Sequence, residues 1–145
     1  LGYGIMPEEL VPHVVKLAVN SVSCAATFSQ RAGIAALDGP QEEVQSMVAE
    51  FDRRRRLVVD GLRRIPGVTC PEPEGAFYAF PSIGGTGLSS GEFEERAMRE
   101  AGVALLSGSA FGEFGEGYVR LSYANSQENL RKALESLDKF VRSVI

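Results

Sequence analysis

The sequence predicts an α/β chain in which helices cover a small sheet of short strands. Two patterns point there. Apolar residues recur every three or four positions from Gln41 to Ile65 and again from Leu130 to Val144, which is helical spacing. Ala76–Phe80, Val103–Leu106 and Tyr118–Tyr123 are instead short runs of strand character, set off by turn residues. With 145 residues the chain can bury roughly two-thirds of the surface its unfolded form exposes, so a core needs neither disulfide nor metal.

The first helix is expected after Pro7, which suits a first turn, with Glu8 and Glu9 set against the positive end of the helix dipole. Leu10, Val11, Val14, Val15, Leu17 and Ala18 are its apolar positions, and it should end near Asn20. Ala25 to Leu37, with Phe28, Ala32, Ala35 and Ala36 at mixed spacings, predicts a largely buried helix stopped by Gly39 and Pro40. The third helix, Gln41 to Ile65, rests on Val44, Met47, Val48, Phe51, Val58 and Leu62 and closes at Pro66-Gly67. Within it, Arg53 to Arg56 form the one basic run. Glu50 and Asp52 lie four residues before Arg54 and Arg56, one helical turn away, so the run reads as a paired, solvated face and not as a phosphate patch.

Val68–Cys70 and Ala76–Phe80 predict two short strands of a hairpin around Pro71–Gly75. Ser89 with Glu92 three residues on is a capping box for a helix using Phe93, Ala97, Met98 and Ala101, stopped by Gly102. Val103–Leu106 follows as a strand. In Tyr118–Tyr123 alternation puts Val119, Leu121 and Tyr123 on one face and Tyr118, Arg120 and Ser122 on the other, which turns Arg120 away from the apolar face. Asn125, with Glu128 at the box position, is the expected cap of a last helix buried along Leu130, Ala133, Leu134, Leu137, Val141 and Val144.

Fifteen Lys and Arg against nineteen Asp and Glu give a net charge of -4, without the clustered, unopposed cations that nucleic acid requires. No apolar run approaches the roughly 20 residues of a membrane span, and no charged segment followed by an apolar stretch opens the chain, so the sequence reads as soluble and unexported. Cys24 and Cys70 have no ligand-spaced partners and read as buried, reduced thiols, which fits a cytoplasmic setting. The strand-like opening Leu1–Ile5, without a Met, suggests that sequence is missing upstream.

Few residues invite chemistry. The glycines of Gly108–Gly112 and Gly115–Gly117 lack the Lys-Ser or Lys-Thr of a phosphate loop and read as a connection between strands. His13 is the single histidine, placed for a surface role beside a helix, and Lys16, Lys132 and Lys139 occupy surface-type helical positions. Arg120 differs: a cation in mid-strand among apolar residues requires an anion. That anion is either an internal Asp or Glu, or a substrate carboxylate gripped by the guanidinium fork.

Five ordered motifs carry a resemblance. Leu1-Gly2-Tyr3-Gly4, Ser23–Gln30 with Ala35-Ala36-Leu37, Glu74–Pro81 containing Gly75-Ala76-Phe77-Tyr78, Ser107–Gly112 and Gly117–Ala124 together resemble the C-terminal portion of class I/II aminotransferases. These are fold type I pyridoxal-phosphate enzymes related to aspartate aminotransferase. The resemblance implies residues 1–38 as the tail of a large cofactor-binding domain, then a small domain, 39–145, with a linking helix at about 41–65 and a short mixed sheet covered by helices. It implies Arg120 as the arginine that holds the substrate α-carboxylate and Phe77 as a residue lining the active-site mouth. Ser23 and Tyr3 would lie near the cofactor, Ser23 in a loop that approaches the partner subunit of a homodimer. The lysine that bonds pyridoxal 5'-phosphate is expected just before Leu1, so this chain is expected neither to transaminate alone nor to hold the cofactor. The apolar faces of residues 1 to 38 would then stand exposed. Val22 and Ser107 depart from the family's usual threonine and proline. A related β-lyase or synthase, or a non-catalytic binding or dimerisation module, are the alternatives.

Overall fold

A computed structural model describes residues 1–145 and divides them into two compact units, Leu1–Val44 and Gln45–Ile145. The first unit contains α1 (Val11–Ser21), entered through a 3-10 turn at Glu8–Leu10, and α2 (Thr27–Asp38). Pro12 sits in the first turn of α1, where its missing N–H costs nothing, and Gly39 ends α2. Neither helix holds a buried residue, with Phe28 80% and Leu37 74% exposed. The expectation of a largely buried second helix is therefore corrected: two short helices hold too little chain to cover each other's apolar faces. Cys24 is likewise exposed and not buried.

α3 spans Glu42–Arg63, and the second unit begins within its first turn. Its apolar stripe is buried from Val58 to Leu62, while Val44, Met47 and Val48 are exposed. The remaining elements are β1 (Tyr78–Ala79), α4 (Ser90–Arg96) continued by a π turn at Ala97–Ala101, β2 (Leu106–Ser107), β3 (Val119–Ser122) and α5 (Gln127–Val144). Val58, Val59 and Leu62 of α3, Leu134, Leu137 and Val141 of α5, Phe93 of α4 and Leu121 of β3 share one core. α3 meets α5 closely at Gly61, where a Cβ would stand 2.5 Å from Leu134 Cδ1.

The sheet order is β1-β3-β2, and both pairings are antiparallel, Tyr78 opposite Ser122 and Leu106 opposite Arg120. The expected mixed sheet is corrected: β1 and β2 run parallel to each other but are separated by β3, so no parallel ladder forms. The expected hairpin is corrected too. Val68–Cys70 does not pair with Ala76–Phe80; Thr69 pairs with Ser82 alone, because the next hydrogen-bonded pair would set Pro71 against Phe80 and Pro71 has no N–H to give.

The capping box at Ser89 and Glu92 is present, and Gly102 closes the helix in the left-handed region at φ 66°. Met98 is half exposed because it directly follows the buried Ala97 and so stands about 100° around the helix from the stripe of Phe93 and Ala97. The last cap is Ser126 and not Asn125: Ser126 Oγ accepts from the Asn129 N–H, whereas Asn125 Oδ1 braces the Ser126 N–H at 2.8 Å. Glu50 binds Arg54, and Asp52 binds Arg56, each at 2.8 Å, as the basic run required. No helix is long and apolar enough to cross a membrane.

Candidate functional site

β3 places Arg120. Its alternation buries Val119 and Leu121 and leaves Arg120 half-buried on the opposite face, beside the exposed Leu106 of β2. None of the nine ion pairs in the chain includes Arg120, so the internal carboxylate partner is not realised. The guanidinium instead lies over two rings, 4.3 Å from the centroid of Tyr78 and 4.5 Å from that of Phe111. Tyr78 belongs to β1 and Phe111 ends a 3-10 turn directly after β2, so one ring comes from a strand that flanks β3 and the other from the loop that leads to it. Ring faces are negative and offset part of the desolvation of the cation. No buried polar side-chain atom in the chain lacks a partner, so the free N–H donors of Arg120 face solvent.

A run of aromatic contacts fixes those rings. Phe111 meets Phe80 edge-on at 6.0 Å, and Phe80 stacks on Tyr118 at 5.5 Å. On the other side Tyr78 meets Phe77 at 4.5 Å, and Phe77 meets Phe51 at 6.0 Å. Phe77, 39% exposed, also borders an open hollow of about 340 Å³ shared with Val48, Phe51 and Tyr123. Tyr123 is buried, its hydroxyl donates to the Ala76 carbonyl at 3.1 Å, and burial pushes its ionisation up.

The loop from β2 to β3 is tied at its base. Gly108 and Gly115 approach so closely that a Cβ on either would overlap the other's carbonyl oxygen, which explains both glycines without a phosphate. The Gly108 N–H donates to the Tyr118 carbonyl at 2.8 Å. α4 adds side-chain ties: Ser90 Oγ accepts from the Gly117 N–H, and Glu94 Oε2 accepts from the Ser107 N–H at 3.0 Å.

Ser23 and Tyr3 belong to the first unit and are exposed, Ser23 in the left-handed region at φ 62°. Arg120 and Phe77 belong to the second. Lys16, Lys132 and Lys139 are exposed on α1 and α5, and Lys132 is paired with Glu128. Sequence reasoning passed over Tyr78, Phe111, Ser90 and Glu94. Alternation within Tyr78–Phe80 signals which residues share the face of Arg120, whereas nothing in the spacing of Phe111 marks it.

The family model for aminotransferase class I and II matches residues 1–137. The aspartate aminotransferase of Pyrococcus horikoshii is 42% identical over 141 residues, 96% of this chain and 36% of that protein. Aromatic-amino-acid aminotransferase 2 of Thermococcus litoralis is also 42% identical, over 98% of this chain and 37% of its own length. Among solved structures, an aromatic aminotransferase from Pyrococcus horikoshii superposes with a TM-score of 0.89 at 40% identity, covering 96% of this chain and 38% of that one. With the family model matched along nearly its whole length, the chain belongs to the class I and II aminotransferase family. It spans little more than a third of the length of the curated relatives it matches.

Proposed function

We propose that this chain is the C-terminal, carboxylate-binding part of a homodimeric, cytoplasmic, pyridoxal-phosphate-dependent aminotransferase that moves an amino group between an amino acid and a 2-oxo acid. In this reading residues 1–38 are the tail of the large domain, residues 39–145 the small domain, and Ser23 and Tyr3 lie toward the cofactor. The observation that carries the proposal is Arg120, a half-buried strand cation without an internal anion. Its fork binds the two α-carboxylate oxygens and so orients the α-carbon, a placement that a strand held on both edges keeps rigid. Phe77 lines the active-site mouth. The cofactor supplies the electron sink in the full-length enzyme. None of the lysines of this chain serves that group, and the chain is inactive alone.

The test is Arg120→Lys in the full-length enzyme. Loss of a bidentate, charge-assisted pair raises KM for the amino acid by about tenfold to a hundredfold, with cofactor absorbance intact. An unchanged KM overturns the assignment.

A further inference from the structure

We propose that Phe111, with Tyr78, is a specificity-determining residue that makes the Arg120 site select a planar carboxylate over a tetrahedral oxyanion such as a phosphonate. The inference rests on the reading of Arg120 as the carboxylate-binding group and goes beyond it. A guanidinium is flat, and its N–H donors lie in its own plane. With Cζ 4.3 Å from the Tyr78 centroid and 4.5 Å from that of Phe111, one ring from β1 and one from the turn after β2, ring faces cover two approaches to the guanidinium. Its unpartnered N–H donors, along the edge of that plane, are what remains open to solvent.

A carboxylate fits that edge without remainder, since both oxygens lie in the plane of the fork. A phosphonate that offers two oxygens to the same fork directs a third out of the plane, toward a ring whose face is negative. The rings therefore stabilise the cation and repel the additional oxygen. Phe111 is the adjustable member. It is half-exposed, ends a short turn and is held edge-on by Phe80, whereas Tyr78 is fixed in the ladder of β1.

The experiment compares, in the full-length enzyme, the inhibition constants of an α-methyl amino acid and of the aminophosphonate of matching side chain. Phe111→Leu keeps apolar bulk but removes the ring, and it narrows the carboxylate preference by about fivefold, with KM for the amino acid rising more than kcat falls. Phe111→Tyr restores the ring and with it the preference. If Phe111→Leu leaves the preference unchanged while Arg120→Lys still raises KM, the inference fails and the reading of Arg120 stands. If Arg120→Lys leaves KM unchanged, the reading itself fails and the inference with it.

Discussion

Ser90 and Gly117 are joined by a 2.8 Å hydrogen bond from the Gly117 N–H to Ser90 Oγ, which ties the start of α4 to the entry of β3. Ser90 is fully buried, and its hydroxyl also donates to the Gly115 carbonyl at 3.4 Å. Alanine there leaves the Gly117 donor without an acceptor. Ser90→Ala is expected to lower the unfolding free energy by about 1–3 kcal/mol in urea titrations. A change within error shows that the loop finds another partner.

Glycines of this chain respond to alanine in opposite directions. At Gly115 the added carbon meets the Gly108 backbone, and the Gly108–Tyr118 pairing must open; the expected loss is roughly 3 kcal/mol. Gly91 lies exposed on α4 with no atom within 4 Å of an added Cβ, so Gly91→Ala is expected to stabilise by about 0.5 kcal/mol. Thermal midpoints of the two variants should move apart; movement in the same direction refutes the steric account.

Hydrogen bonds from Arg54, Gln127 and Arg53 lower the Glu50 carboxyl from its ordinary value to about 2. A lowered carboxyl contributes stability that is complete above about pH 4.5 and is lost as the pH falls toward 2. Because Gln127 opens α5, that loss loosens α3 from α5. Urea midpoints measured on acidification should fall less steeply for Glu50→Gln than for the parent chain. Parallel curves rule out Glu50 as the titrating group.

Cys70 is buried, and burial pushes its thiol up against the opposing pull of Arg63, whereas Cys24 is exposed. An aromatic disulfide reagent should therefore label one thiol quickly in the folded chain and the second only in denaturant. Two fast thiols contradict the placement of Cys70.

Where local chemistry decides, the sequence was legible: the Ser89 box, the Gly102 stop, the outward turn of Arg120 and the pairing of Glu50 with Arg54 all follow from spacing. Burial of α2 was not, since Ala35 and Leu37 look the same whether or not another element covers them. The cap at Ser126 was missed because Asn and Ser are near-equal caps and the choice depends on which side chain reaches the Asn129 N–H. Of the candidate site, the strand position of Arg120 and the face it shares with Tyr78 were readable and Phe111 was not: Phe111 reaches Arg120 only through the closure of a loop, a relation that no periodicity encodes.

The contact between Gly108 and Gly115 separates the inheritance of two traits. Residues 109–114 form an excursion sealed at its neck, so insertions or exchanges at the tip do not propagate into the register of Leu106 opposite Arg120. A lineage is thereby free to revise the ring at position 111 while the arginine stays where it is.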